Sequence, residues 1–516
     1  MTNKRMWTSF IMILMTLTII SACSSDDSSS NSSGAKNLKV GFSAEPLTLD
    51  PHDADDAVSN QANLLIYDKL VTFNEDSEIV PELAEDWKLA EDSKSLTMQL
   101  REDVTFQDGE PFNAEAVKKN FERVLDKDRG FSRTSLFADF IEDVVVDDEY
   151  QITFEFHTPF SAALNTLAHG AGGIISPKSI DEEDKKPISE NPVGVGPYEL
   201  DDWTPGTEIS FTPNEDYWDG APELDSISIN TIPENSSRSI ALENGEIDVA
   251  YPIGIEDFER MEEDEDITFS LTPAYRTLSF AINVNKEPFK DEKVRQAINY
   301  AVDKDSLSEE ILKGAAKPLK APIGSPLGGY SEVGEYEYDP EKAKELLDEA
   351  GIEEGSKINL WTPDARYLMD STVTESVQAY LQDIGFDVNF EQFEWSTYSD
   401  LLDDPGEDFD IMVTSWGAST GDVDWGLRPL FSTEGSNNYN EYSNSEVDEL
   451  LTVNGLEEAD EEKRIDIYND AMQIIFDEAP QLFGIEYQTP LAYKSNVHNI
   501  YTWGNEYVVL RNATMD

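Results

Sequence analysis

The sequence predicts an α/β fold with more than one core. Short runs with apolar residues at every second position alternate with longer runs whose apolar residues recur at helical spacing. The two kinds are interspersed in mixed order rather than segregated, which is the pattern of an α/β architecture. The chain has 516 residues, more than the ~100–200 that one domain usually occupies. No short-period internal repeat is present.

The N-terminal stretch stands apart. Lys4 and Arg5 precede an apolar run, Met6 to Ile20, of signal-peptide length and too short for a comfortable bilayer span. It ends in Ile20-Ser21-Ala22-Cys23, and small residues before a cysteine at that place resemble the lipobox of bacterial lipoproteins. Residues 1–22 are therefore expected to be a lipoprotein signal peptide, and Cys23 the site of lipidation. Residues 23–36 are mostly Ser, Asp, Asn and Gly; they cannot build a core and read as a flexible tether. No later apolar run is long enough to cross a bilayer.

Strand alternation follows at Leu38-Val40-Phe42, Leu96-Met98-Leu100, Ile152-Phe154-Phe156, Ile209-Phe211, Ile227-Ile229, Leu278-Phe280-Ile282, Ile358-Leu360 and Phe386-Val388-Phe390. Helices carry their own punctuation. Asn113 caps one with Val117, Phe121 and Val124 inward, and Asp291 caps another with Val294, Ala297, Ile298 and Ala301 inward. Asp339-Pro340 opens a third, whose apolar face of Ala343, Leu346, Leu347 and Ala350 stops at Gly351. A fourth has Val373, Val377, Tyr380, Leu381 and Ile384 before Gly385, and a fifth has Ile465, Tyr468, Met472, Ile475 and Phe476.

Acidic residues number 106 and basic residues 37, for a net charge of −69. So negative a surface repels nucleic acid and anionic lipid headgroups and argues against a nucleic-acid partner. Self-repulsion on this scale destabilises a compact state unless salt screens it; a saline or alkaline exterior and plain solubility both account for it. Cys23 is the single cysteine, so there is neither an intrachain disulfide nor an all-thiolate zinc site. The histidines are His52, His157, His169 and His498. None forms a zincin pair, structural or surface roles are expected of them, and no cofactor is expected.

Gly417-Ala418-Ser419-Thr420-Gly421 fits G-x-S-x-G after an apolar strand, Asp410 to Trp416, with His498 downstream. Against a serine hydrolase, the following Asp422-Val423-Asp424-Trp425 would set carboxylates beside a developing oxyanion, the wrong sign for that site. An enzyme is not expected. Trp395, Trp416, Trp425 and Phe431 gather near the same segment and suit either a ligand pocket or a core. Arg366 stands between a strand and a helix, where in so acidic a chain it could hold a ligand carboxylate; a surface charge is the alternative.

Several motifs in order resemble one family, the peptide/nickel/glutathione-type substrate-binding proteins of ABC importers. They are Leu83-Ala84-Glu85-Asp86-Trp87, the Val104 to Val117 segment with Phe106-Gln107-Asp108-Gly109, Pro192-Val193-Gly194-Val195-Gly196-Pro197-Tyr198, Tyr217-Trp218, Leu242-Glu243-Asn244-Gly245-Glu246-Ile247-Asp248, and Val294-Arg295-Gln296-Ala297-Ile298-Asn299-Tyr300-Ala301. Within that family the likeness is strongest to the glutathione-binding members, through Leu49-Asp50-Pro51-His52, Thr158-Pro159-Phe160-Ser161-Ala162, Asn165 to His169, and Trp416 to Trp425. Dipeptide-type members carry an aspartate for the peptide amine where this chain has Ser419.

The resemblance implies a two-lobed periplasmic-binding-protein-like fold with a discontinuous first lobe, an extra domain and a ligand cleft between the lobes. It implies lobe I at 37–72, 195–282 and 488–516, the extra domain at 73–194, and lobe II at 283–487. The expected function is an extracellular, lipid-anchored capture subunit for glutathione or short peptides, with nickel or a metal complex as the alternative cargo. Its partners would be an ABC permease and its ATPase. The expected ligand-binding residues are Trp416, Ser419, Thr420, Asp422, Asp424, Trp425, Arg366 and Tyr275, with Asp422 or Asp424 for an ammonium group and Arg366 for a carboxylate.

Overall fold

The interspersed strands join into one long mixed sheet. The structure is a computed structural model that describes residues 35–403 and 409–516; Cys23 and the run before it lie outside the described residues. Across the sheet the order is Asp387–Phe393, Lys357–Pro363, Ile411–Gly417, Ile267–Ile282, Gln481–Lys494, Val249–Tyr251, Asn37–Phe42, Ser226–Thr231, Glu208–Pro213 and Tyr198–Thr204, with Ala316–Pro318 pairing off Gln481–Lys494. Its first three strands are parallel to one another. At the other end Asn37–Phe42 is parallel to both of its neighbours.

Two long antiparallel strands connect these ends. Ile267–Ile282 and Gln481–Lys494 have 16 and 14 residues. One stretch of each serves one end of the sheet, where Tyr493 and Ala492 pair with Val249 and Ala250. The other stretch serves the opposite end, where Arg276 to Ile282 pairs with Ile411 to Gly417. Between them the register breaks: Pro273 faces Gln488 but Thr277 faces Glu486, so the first strand bulges at Ala274 to Arg276.

Each end packs its own apolar faces. Leu38, Val40, Phe211, Ile227 and Ile229 share one core. Ile358, Leu360, Val373 and Val377 share another with Val294 and Ile298. A separate antiparallel sheet, ordered Ala84–Leu89, Ser95–Leu100, Gln151–Phe156, Ile141–Asp148, packs Leu96, Met98 and Phe154 against Val117 and Phe121 of helix Ala114–Leu125. Further on, helices Val423–Phe431 and Glu461–Glu478 bury Leu427, Phe431, Tyr468 and Met472 together, so Phe431 is a core residue.

The caps expected from sequence are formed. Asn113 Oδ1 accepts from Ala116 N–H at 3.0 Å, Asp291 Oδ1 from Lys293 N–H at 2.9 Å, and Asp339 Oδ1 from Lys342 N–H at 2.9 Å. Gly385 ends the fourth helix with φ of 109°, a conformation that a side chain would strain. Among the described residues no helix is long and apolar enough to cross a membrane.

Candidate functional site

Open sheets of parallel strands bind ligands in the crevice beyond the strands' carboxyl ends. Here Lys357–Pro363 and Asp387–Phe393 end side by side, with Pro363 paired to Phe393. Ile411–Gly417 ends next to them, and its last residue pairs with Arg276 at the bulge of the long strand. The loops after these three strands therefore converge on one edge, facing Tyr275 and Arg276.

The loop after Pro363 is pinned from below. Buried Asp370 accepts from the N–H groups of Arg366 and Tyr367, both at 2.8 Å, and from Ser371 N–H at 2.7 Å. This presents Arg366 outward, exposed, with its guanidinium 4.4 Å from the centroid of the Trp395 ring. Trp395 opens the helix after the neighbouring strand, and its ring also meets Tyr367 edge-on at 6.2 Å. Arg366 and Trp395, distant in sequence, thus share one place because their strands are parallel neighbours.

The loop after Gly417 is tightly built. Gly421 has φ of 70°, and a Cβ there would stand 2.8 Å from the Tyr275 hydroxyl oxygen, so only glycine fits. Trp416 Nε1 donates to the Trp425 carbonyl at 2.8 Å, tying the strand end to the helix that follows. Asp422 caps that helix through Asp424 N–H at 2.8 Å. Its carboxylate also takes a bidentate pair from Arg464, with Nη1 to Oδ2 at 3.0 Å. Asp424 takes a second bidentate pair from Arg428, both distances 2.8 Å, plus the Tyr468 hydroxyl at 3.1 Å. Burial alone would lower the pKa of Arg464, yet the adjacent Asp422 and Tyr468 hold it above the usual value. Burial, and then Asp424, push the Tyr468 phenol well up.

Asp422 and Asp424 are therefore both buried and both engaged by arginines of the same chain. Ser419 is half-buried at the loop's surface, and Thr420 is buried with a hydroxyl that has no hydrogen-bond partner. Tyr275 is buried, its N–H donates to the Gly504 carbonyl at 2.6 Å, and burial raises its phenol pKa. Between Tyr275, Trp416, Ile323 and Leu430 runs a narrow slot, too constricted for a water molecule.

Opposite this edge lies a hairpin near the C-terminus, in which Tyr501–Thr502 pairs with Val508–Val509. Gly504 sits against the Tyr275 ring with no room for a side chain. Glu506 reaches Arg276, whose Nε donates to Glu506 Oε2 at 2.7 Å. Sequence reasoning did not single out Arg276, Glu506 or Tyr367. The one available signal was the scarcity of cations: with 37 basic residues in 516, an arginine within a strand is conspicuous.

A second set of contacts bridges the small antiparallel domain and the region of helix Glu461–Glu478. Ser161 N–H donates to the Leu456 carbonyl at 3.1 Å, and Ser161 Oγ donates to the Gly455 carbonyl at 2.8 Å. Arg464 Nε donates to Ser161 Oγ at 2.8 Å, and Ser93 Oγ donates to the Glu457 carbonyl at 3.1 Å. Arg464 thus touches Asp422 and Ser161 at once.

The histidines are dispersed. His52 Nδ1 meets Arg123 Nη1 at 2.7 Å, and burial holds its pKa well down. His169 is buried, accepts from Ala171 N–H at 3.0 Å, and is pushed down to about 3 by burial. His157 is exposed, and His498 pairs with Asp516 at 3.0 Å rather than with Ser419. Among the described residues no three His, Cys, Asp or Glu side chains gather as a metal site.

Comparison with known proteins gives consistent likenesses. Residues 78–438 match the family model of bacterial extracellular solute-binding proteins, family 5, middle. The glutathione-binding protein GsiB of Pectobacterium atrosepticum is 32% identical over 457 residues, covering 87% of this chain and 88% of GsiB. Among solved structures, the periplasmic binding protein DppA from Helicobacter pylori in complex with the peptide STSA superposes with a TM-score of 0.74 at 27% identity, over 93% of this chain and 98% of that one. The nickel ABC transporter structure from Bacillus halodurans gives 0.80 at 26% identity, over 93% and 99%.

Proposed function

The chain belongs to the family 5 bacterial extracellular solute-binding proteins, and from that premise we propose that it captures glutathione or a short peptide between its lobes and passes it on unchanged. The family fixes the broader statement: this is the two-lobed α/β solute-binding subunit of an ABC importer of the peptide, glutathione and nickel type, and not an enzyme. It works with a membrane permease and an ATPase.

The finer reading is carried by one observation: the carboxyl ends of three parallel strands bring Arg366, Trp395 and the Trp416 to Thr420 loop to one edge, facing Tyr275 and Arg276. Such an edge offers an aromatic floor, hydroxyls at Ser419 and Thr420, and guanidinium donors for a carboxylate. In a chain of net charge −69, an anionic solute needs such local cations. Asp422 and Asp424 act here by holding the loop, because Arg464 and Arg428 already occupy their carboxylates; Trp425 anchors Trp416 from behind. Lobe I is assigned to 37–72, 195–282 and 488–516, lobe II to 283–487, and the extra domain to 73–194. Their hinge is the bulge at Ala274 to Arg276, which moves the boundary of lobe I from 282 back to the bulge, because Arg276 to Ile282 pair with Ile411 to Gly417 of lobe II. Cys23 carries the lipid anchor on the outer face of the cytoplasmic membrane.

Calorimetric titration with glutathione, dipeptides, longer peptides and Ni²⁺ tests the reading. Glutathione or a di- or tripeptide should bind with 1:1 stoichiometry. Binding of Ni²⁺ alone, or of long peptides alone, would overturn it.

A further inference from the structure

In so acidic a chain almost every interior guanidinium is fully engaged. Arg123, Arg428, Arg464 and Arg511 hold carboxylates, and Arg238 and Arg295 hold several backbone carbonyls. Arg276 differs. It makes one hydrogen bond among the described residues, Nε to Glu506 Oε2, and its two Nη groups make none. Glu506 Oε1 likewise accepts nothing from the described residues. Both side chains remain about one-third exposed, at 38% and 30%.

Their placement is enforced. Gly417 lies against the guanidinium: a Cβ there would stand 3.1 Å from Arg276 Nη2. Glu506 is held at φ of 68° in a turn closed by its N–H to the Trp503 carbonyl at 2.9 Å, and its own carbonyl accepts from the Tyr251 hydroxyl at 2.7 Å. A left-handed glutamate fixed from both sides marks a position set by geometry rather than by backbone preference. The pair therefore leaves two amino groups and a carboxylate oxygen free, side by side, on two partly exposed side chains.

We propose that Arg276 and Glu506 form a subsite for a free amino-acid head, an ammonium and a carboxylate on one carbon. The ammonium goes to Glu506 Oε1 and the carboxylate to the Arg276 Nη groups, both as charge-assisted hydrogen bonds. An ordinary peptide N-terminus has the ammonium without the adjacent carboxylate. A γ-glutamyl peptide has both, and its distant C-terminal carboxylate is left for Arg366. The subsite thus selects γ-linked over α-linked peptides. The inference rests on the capture reading above.

The test is calorimetry of wild type, Glu506→Gln, Arg276→Gln and Arg276→Lys with γ-Glu-Cys-Gly, its α-linked isomer, the N-acetylated γ-peptide and Cys-Gly, with melting curves as a control for folding. Wild type should bind the γ-peptide about 10- to 100-fold more tightly than the α-isomer or the N-acetyl form. Glu506→Gln should lose a similar factor on the γ-peptide but nothing further on N-acetylation, a coupling that a merely structural role would not produce. Binding of the γ-peptide with no preference over the α-isomer, or unchanged in Glu506→Gln and Arg276→Gln, overturns the subsite and leaves capture standing. Tight binding of other peptides with none of the γ-peptide overturns both the subsite and the glutathione reading.

Discussion

Ser161→Ala isolates the contact that joins the region of the small antiparallel sheet to that of helix Glu461–Glu478. The serine hydroxyl donates to the Gly455 carbonyl and accepts from Arg464 Nε, each at 2.8 Å. A neutral hydrogen bond is worth about 0.5–1.5 kcal/mol and one to a charged group about 1.5–3 kcal/mol, so the alanine costs about 2–4 kcal/mol wherever water does not replace them. The serine lies in the segment proposed as the extra domain and its partners in the one proposed as lobe II, so the cost falls on the closed arrangement and not on the fold of either body. Where the free protein rests largely open, the whole penalty reaches the ligand: about 2 kcal/mol raises Kd about 30-fold. The backbone bond from Ser161 N–H to Leu456 survives the substitution, which places the expected loss at the lower end of that range. The assay is calorimetry with the tightest ligand found, alongside small-angle scattering with and without it. A Kd within twofold of wild type, with unchanged scattering, would refute the idea that this contact belongs to closure.

Two further perturbations probe the scaffold. Asp422→Asn keeps the helix cap, since asparagine caps as well as aspartate, but leaves the buried Arg464 without its counter-charge; it should cost about 3–5 kcal/mol in denaturant unfolding, and a loss under 1 kcal/mol would contradict the account. His169 is buried neutral, with its pKa pushed down to about 3. The unfolded chain takes up that proton near pH 6.5 while the native one does not, so stability falls as pH drops from 6.5 toward 3, by about 1.4 kcal/mol per pH unit from this residue. His169→Asn, which retains an acceptor for Ala171 N–H, should flatten that slope by about this amount; melting curves from pH 7 to 4.5 that run parallel to wild type would rule it out.

Periodicity found the elements whose environment is one-sided. The alternation of Leu38-Val40-Phe42 and the capped run after Asn113 have one buried face each, and a one-faced pattern is visible in a single sequence. Gln481–Lys494 escaped notice because it is covered on both faces, so its apolar residues run on without alternating. The candidate site was legible in part for the same kind of reason. Trp416, Ser419 and Asp422 are neighbours along the chain and drew attention as a motif. Arg276 and Glu506 meet across 230 residues of sequence, and Arg366 and Trp395, each noticed alone, meet only because their strands are neighbours. The charges of Asp422 and Asp424 were readable, but their partners Arg464 and Arg428 were not, and those partners decide what the carboxylates do.

The bulge at Ala274 to Arg276 has a mechanical consequence. A continuous ladder resists bending, so flexure concentrates where rungs are missing, and here the rungs to Gln481–Lys494 are missing at Ala274 to Arg276, beside the proposed site. A bound solute would splint the joint directly, with no relay through intervening side chains. Amide hydrogen exchange at residues 274–277 should then slow on ligand addition by more than the exchange of the paired stretches on either side, making that short segment a built-in gauge of occupancy.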